Sequence, residues 1–323
     1  MNRVSIDRPA SAGVEAASEP EGESEPEVDP ETGITIPPSD GGLDVFLLVG
    51  SDSRDSLEDL EGFGEFVGER ADVVMVMIRP RDGSTAAMLS LPRDLLVEDV
   101  CGGVAHRLND ALEGCGDFMN GPTALTLSVE SILGITVDHF ALVDLAGFQG
   151  VVDAVGGYEI CLKRDVRDQK ANLELPAGCT VASGEQTLAW MRSRNTQELT
   201  ESGWRIVPGV NDLTRNERQR VFMVSMLSRL SDFGSPQDIA AVARAVASHV
   251  TVDDELTLVD AVSLAWTMRG LGTGSVNTLE IPVANFTTAW GAEVLVATVD
   301  ISEIVASYLS PESAASASPT FSK

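Results

Sequence analysis

The chain is poor in cations, histidine and cysteine, and it has no long apolar run. Lys and Arg total 22 against 50 Asp and Glu, so its 323 residues carry a net charge of −28. A chain that acidic should not wrap phosphate backbones, and no basic recognition helix is visible. Both points argue against a nucleic-acid partner or a DNA-binding regulator. Three His and four Cys, none of the cysteines in a CxxC pair, argue against a zinc site. No stretch of about 18 apolar residues is available to cross a bilayer, and no secretory leader opens the chain. No P-loop, GxSxG elbow or complete dinucleotide fingerprint is present.

What remains is unevenly distributed. Residues 1–43 hold ten acids and two arginines and are rich in Pro, Glu and Ser. Residues 1–41 therefore read as a disordered acidic arm, with a short extended piece near Val4–Ile6, and 310–323 as a disordered tail. Residues 42–309 are expected to form one domain. Ten of the 22 cations fall between Lys163 and Arg220, in a window with only eight acids.

Four cysteines allow three pairings. The sequence-local one, Cys101 with Cys115 and Cys161 with Cys179, closes two short loops and suggests an oxidising compartment. Four unrelated buried thiols are the plain alternative. Disulfides without an export signal conflict, and the expected resolution is a chain that begins after its own membrane anchor.

DVFLLVG (44–50), DVVMVMIRP (72–80) and AAMLSLPRD (86–94) are near-continuous apolar runs that suit strands buried on both faces. The intervening RDGS reads as a hairpin turn. GPTALTLSVESILG (121–134) reads as a helix, with Pro122 at its start and Gly134 at its end. ITVDHFALVD (135–144) reads as a strand, LAGFQGVVDAVGG (145–157) as a helix and YEICL (158–162) as a strand. Ser183 and Gln186 form a capping pattern ahead of a short helix. A longer helix is expected from about 212 to 230, then two more helices, a late strand NTLEIPV and a closing helix VDISEIVASYL. The pattern predicts a three-layer α/β/α sandwich around a mixed, largely antiparallel sheet.

LLVGSDSR (47–54) ends a buried-type strand in polar residues, and RADVV (70–74) opens the next. If those strands are antiparallel neighbours, Asp52 and Asp72 reach the same sheet edge. Two close carboxylates want a cation, and oxygen-only ligands favour Mg²⁺ or Ca²⁺. The bland reading is a pair of turn or strand-end caps. Arg93 follows the third strand. Arg192 and Arg194 share a side only if the chain leaves its helix extended. Arg215 and Arg218 are three apart at a helix start, where backbone N–H groups also favour an anion. Guanidinium forks suit phosphate oxygens, although ordinary salt bridges to the many acids compete with that reading. Acids and arginines together suit a diphosphate with a divalent ion, the arrangement that phosphoryl transfer needs.

LLVGSDSR, RADVVMVMI, LSLPRD, HRLNDA, VDHFALVDLAGFQGVVDAVGG, GEQTLAWMRSR and NDLTRNERQR, in this order, resemble the LytR-CpsA-Psr family over about residues 44–230. The resemblance implies an extracytoplasmic phosphotransferase tethered by an N-terminal membrane helix. It would move a glycopolymer with its linking phosphate from a polyprenyl diphosphate carrier to peptidoglycan. The lipid tail would lie in an apolar groove, and arabinogalactan or teichoic acid are the polymer classes implied. By motif, Asp52 and Asp72 look like the ligands of Mg²⁺ (or Mn²⁺). Arg93, Arg192, Arg194, Arg215 and Arg218 look like the diphosphate clamp, with Arg54, Asp212 and Gln219 as accessory residues. Asp52, Asp72, Arg93, Arg192 and Arg194 are the expected catalytic set. The motifs depart from the family at Arg107, where lysine is more usual, at Asn211 and at Arg220. A non-catalytic polyprenyl-phosphate-binding protein, or an inactive paralogue, is the competing reading.

Overall fold

The computed structural model describes residues 2–7, 27–28, 35–36, 42–51, 70–80, 85–207, 218, 221–226, 229, 234–259, 261–262, 265 and 276–309. Its centre is the antiparallel pair Leu43–Ser51 and Ala71–Pro80, in register from Leu43 opposite Pro80 to Ser51 opposite Ala71, with an irregularity between Gly50 and Ser51. Ala86–Leu91 adds to Ala71–Pro80, also antiparallel. His139–Val143 joins the other side of Leu43–Ser51 in parallel. Thr251–Asp253 runs antiparallel beside it, and Asn2–Val4 and Val276–Leu279 form the two edges, each parallel to its neighbour. The seven-stranded sheet is mixed, as expected, but evenly so rather than largely antiparallel: among the described strands three pairings are antiparallel and three parallel.

The strands are apolar nearly throughout because both faces are covered. Val45, Leu47, Val49, Val74, Val76 and Ile78 pack with Leu125, Val129 and Leu133 of α1 (Gly121–Leu133) and with Ile301 and Val305 of the helix Ile301–Leu309. Phe46, Met75, Met77 and Met88, on alternate positions of the same strands, are equally buried. A strand with only one covered face would have alternated with polar residues.

Local chemistry sets the boundaries. Asn120 caps α1 by accepting from Thr123 N at 2.8 Å, and Gly134 closes it at φ 69°, a left-handed position that glycine adopts without strain. The strand expected from residue 135 begins only at His139. Residues 135–138 are held otherwise: Glu130 Oε1 accepts from Val137 N, and Asp138 Oδ2 accepts from Val45 N, each at 2.8 Å. The late strand expected over 277–283 stops at Leu279, and a separate hairpin of Val283–Thr287 and Glu293–Ala297 follows Pro282, which has no N–H to give a ladder. YEICL is a strand, but it pairs with Gly178–Ala182 outside the central sheet.

Both sequence-local disulfides are present, Cys101–Cys115 and Cys161–Cys179, the second between directly opposed strand residues. Asn2–Val4, placed by the sequence in the arm, is part of the sheet. Residues 27–28 pair with 35–36. Among the described residues, no helix is long and apolar enough to cross a membrane.

Candidate functional site

The topology collects several chain ends at one edge of the sheet. The pairing brings Ser51, the start of Ala71–Pro80, the end of Ala86–Leu91 and Val143 to the same side. Carboxyl ends of strands gathered in this way are where α/β sheets place ligands. Asp72 lies one residue past the Ser51–Ala71 rung, and Arg93 two residues past Leu91. Arg93 Nη1 donates to Asp72 Oδ1 at 2.5 Å. Its Nε donates to Asp94 Oδ2 at 3.4 Å, and Arg107 Nε lies 3.6 Å from the other oxygen of Asp94. Burial opposes the charge of Arg93, but Asp72 and Asp94 outweigh it and raise the guanidinium pKa.

Asp144 caps α2 (Leu145–Ala154) at this same edge, accepting from Gly147 N at 2.6 Å. α2 then leads to the arginine-bearing turn. α3 (Gly184–Arg192) starts against it: Gly184 N donates to Asp153 Oδ1 at 2.8 Å, and a Cβ at Gly184 would lie 2.2 Å from Gln149 O. Farther along, Met191, Phe222 and Val152 form one cluster, to which Phe148 and Trp190 add. The capping box of Ser183 and Gln186 is formed as expected.

The exit from α3 is extended, with Ser193 at φ −63°, ψ 122°. Ser193 is fully buried between a half-buried Arg192 and an exposed Arg194. The chain therefore leaves α3 extended, with Arg192 and Arg194 on either side of a buried residue. Ser193 is fastened to Asp168, whose Oδ2 accepts from Ser193 Oγ at 2.8 Å and Asn195 N at 2.9 Å. Burial pushes the Asp168 carboxyl up. The Asn195 amide, the Ser193 hydroxyl and the Lys170 and Ala171 amides prefer its charged form and pull it below the ordinary value.

Arg218 closes the turn from the other side. Its Nη1 donates to Trp190 O at 3.0 Å and Ser193 O at 3.2 Å, Nη2 reaches Thr196 Oγ1 at 3.3 Å, and the guanidinium sits 4.1 Å over the Trp190 ring. Burial lowers its pKa and the Asp168 charge works against that. The guanidinium is thus spent on the carbonyls ending α3, a holding role for the Arg192–Arg194 turn that the sequence reading did not contain. Asp168, Asp94, Thr196 and Trp190 were also missed. The only sequence signal for Asp168 was an acid inside the one cation-rich window.

Of the expected site residues, Asp72 and Arg93 are brought together, and Arg192, Arg194 and Arg218 form a second group. Asp52, Arg54, Asp212, Arg215 and Gln219 lie outside the described residues, as do the expected RDGS turn and most of the helix expected from about 212 to 230. Among the described residues no three of His, Cys, Asp and Glu form a metal cage. The donor set at Asp72 is oxygen only, with one oxygen already on Arg93. That chemistry fits a hard cation that keeps waters and substrate oxygens as its other ligands, which is how Mg²⁺ binds.

The fold and the edge chemistry thus define a mixed α/β protein with a carboxylate–guanidinium cluster beyond its strand ends. The chain belongs to the LytR-CpsA-Psr family, whose model matches residues 10–306. It is 34% identical over 250 residues to the probable cell wall biosynthesis protein LcpB of Corynebacterium glutamicum, covering 75% of this chain and 55% of that one. It is 30% identical over 298 residues to LcpA of the same organism, covering 82% and 55%. The chain spans about half the length of these curated relatives. A solved LytR-Csp2A-Psr enzyme from Actinomyces oris shares the fold, with a TM-score of 0.62 at 24% identity, covering 85% of this chain and 92% of that one.

Proposed function

We propose that this protein is a cell-wall glycopolymer transferase. It takes a glycopolymer with its sugar-proximal phosphate from a polyprenyl diphosphate carrier and joins it to a hydroxyl of peptidoglycan. The observation that carries the reading is the Asp72–Arg93 pair, set at the sheet end to which the chain also delivers Ser51, immediately before Asp52. A more distant relative, 26% identical over 212 residues, is named a polyisoprenyl-teichoic acid–peptidoglycan teichoic acid transferase. It supports the class of reaction rather than the polymer.

In this mechanism the chain's own residues mainly position and neutralise. Arg93, aimed by Asp72 and Asp94, faces one side of the diphosphate. Arg192 and Arg194, projected by the buried Ser193, bind its remaining oxygens. The acceptor hydroxyl oxygen forms a bond to the sugar-proximal phosphorus as the bond to the bridging oxygen breaks; polyprenyl phosphate leaves, and the hydroxyl proton passes to it or to water. A loose transition state spreads charge over the phosphoryl oxygens, so fixed cations and alignment supply most of the acceleration. Mg²⁺ or Mn²⁺ held by Asp52 and Asp72 would add charge neutralisation at the diphosphate. The two disulfides support an extracytoplasmic location.

The test is a transfer assay with the full chain, a labelled oligosaccharide on polyprenyl diphosphate, uncrosslinked peptidoglycan and Mg²⁺, run beside an EDTA control. Metal-dependent movement of label to peptidoglycan is expected. Tight lipid binding without transfer, across several polymer types, would instead assign a carrier-binding role.

A further inference from the structure

The hairpin of Val283–Thr287 and Glu293–Ala297 is tied directly to the Asp72–Arg93 edge. Leu295 N donates to Asp94 O at 2.8 Å, Leu95 bridges Leu295, and Arg107 Nη2 donates to Glu293 O at 2.8 Å. An unbroken chain of contacts therefore runs from Asp72 through Arg93, Asp94 and Arg107 to the hairpin backbone.

The hairpin presents aromatic rings to water. All five residues of Val283–Thr287 are exposed, with Phe286 at 48%, and Trp290 at the tip is 59% exposed. Two other described tryptophans, Trp190 and Trp204, each carry an arginine over the ring, Arg218 and Arg167. The tip itself is held firmly. Thr288 N donates to Ala292 O and Gly291 N to Thr288 O, both at 2.9 Å, and Ala292 N donates to Thr288 Oγ1 at 2.9 Å. Thr288 is 5% exposed and Gly291 takes φ 86°. A loop whose backbone is already hydrogen-bonded in place loses little backbone entropy when a flat apolar face settles on the exposed Trp290 ring. Exposed apolar groups collected beside a reactive site mark a contact surface.

We propose that Trp290, with Phe286 farther along the same hairpin, provides a stacking surface for the glycan strand of the acceptor, peptidoglycan. The inference rests on the acceptor assigned above and says where it docks. Sugar rings offer apolar C–H faces to aromatic rings and hydroxyls to the surroundings. Between Val283 and Ala297 there is one acid, Glu293, and no Lys or Arg. The hairpin's own side chains suit uncharged rings, and the cation lying against it, Arg107, is engaged by Glu293 O and Asp94. The diphosphate end of the donor belongs with the arginines of the site, which leaves the hairpin, whose own residues include no Lys or Arg, to the other substrate. Its connection to Asp94 and Arg107 leads a bound strand toward Arg93.

The test separates this docking from turnover. Soluble, uncrosslinked peptidoglycan glycan strands are titrated into the full chain with no donor present and with EDTA, and binding is followed by tryptophan fluorescence and calorimetry. Binding is expected, and Trp290→Ala should weaken it at least fivefold, Phe286→Ala less, with Trp290→Phe restoring most of it. Melting temperatures should stay at the wild-type value because both rings are exposed. In the transfer assay Trp290→Ala should raise the KM for peptidoglycan at least fivefold and leave kcat and the KM for the lipid donor unchanged. Unaltered strand binding by Trp290→Ala, no strand binding by the wild type, or a raised donor KM would each overturn the proposal. Strand binding that depends on Trp290 in a protein that transfers nothing would support the surface and defeat the transferase reading alone.

Discussion

Ser193 Oγ donates to Asp168 Oδ2 at 2.8 Å, and both residues are buried. That bond joins a small peripheral sheet to the turn carrying Arg192 and Arg194. Asp168 lies in Val166–Asp168, the turn follows α3, and Arg218 closes over both. A carboxylate in such a place acts on the reaction only through the arginines it aims.

Replacing Asp168 with Ala leaves the Asn195 amide and the Ser193 hydroxyl without their acceptor. The expected cost is about 2 kcal/mol of stability, with a fall in turnover of at least tenfold in protein that remains folded. Because the native carboxyl titrates below its ordinary value, its contribution is full above about pH 3.8 and is lost as pH falls through the lowered value. Urea melts of wild type and Asp168→Asn from neutral to acid pH check this. Equal acid sensitivity of the two would remove Asp168 from that role.

Arg192→Ala and Arg218→Ala should differ in kind. Arg192→Ala is expected to cut turnover at least tenfold, about 1.4 kcal/mol of transition-state stabilisation, with a smaller loss of melting temperature than Arg218→Ala. Arg218→Ala withdraws a donor from two carbonyls and a cation from the Trp190 face, so it should lower both melting temperature and turnover. Calorimetry beside steady-state kinetics distinguishes them, and identical behaviour would erase the division between contact and support.

Asp72→Asn keeps the shape of the side chain and removes its charge. Turnover should fall by more than tenfold and the Mg²⁺ concentration for half-maximal rate should rise, while the fold survives because the side chains of Asp72 and Arg93 are both partly exposed. A metal titration of activity reads both. An unmoved metal requirement would place the ion elsewhere.

His139 stands at the opposite edge of the sheet, stacked on Phe46 with its Nδ1 3.5 Å from Asp253 Oδ2, beside a polar cavity of about 170 Å³ that includes Thr126, Asp7 and Glu255. Burial disfavours its charge, but Asp253 first, then Asp138 and Asp44, outweigh burial and raise its pKa. The stability this gives is complete below about pH 6.5 and is lost as pH rises through the raised value. His139→Gln should abolish that component. An imidazole that titrates by NMR at or below its ordinary value would contradict it.

Each disulfide closes a short loop, with separations of 14 and 18 residues. Loop entropy gives about 3 kcal/mol apiece. A Cys161→Ser, Cys179→Ser double variant should lose roughly that much, read by chemical denaturation without reductant. Mass spectrometry of the non-reduced protein should find no free thiol.

The parts of the molecule that the sequence revealed are those decided locally. Gly134, the Ser183–Gln186 box and the apolar runs of the central strands each declare themselves within a few residues. Pairing Cys101 with Cys115 and Cys161 with Cys179 needed only proximity. What escaped was decided at a distance. Asp168 meets Ser193 from 25 residues away, and Arg218 reaches Ser193 from the other side by the same separation. No motif encodes either contact. Residues 135–138 look like strand by alternation, yet the Val137 N–H is taken by the Glu130 side chain, and Asp138 meets Val45 N with its carboxylate. Asn2–Val4 is too short and too polar a segment to announce a partner some 250 residues on.

That last pairing has a consequence for assembly. Both flanks of the central sheet depend on late sequence: Asn2–Val4 needs Thr251–Asp253, and Ala86–Leu91 waits for Val276–Leu279. During synthesis the middle strands can associate early, but their flanks stay open until most of the chain has emerged. Open strand flanks recruit neighbouring chains, and contacts of such long span form slowly. A fragment begun at residue 42 would uncover Thr251–Asp253, whose Val252 and Asp253 are otherwise buried, so aggregation rather than loss of chemistry should be its first symptom.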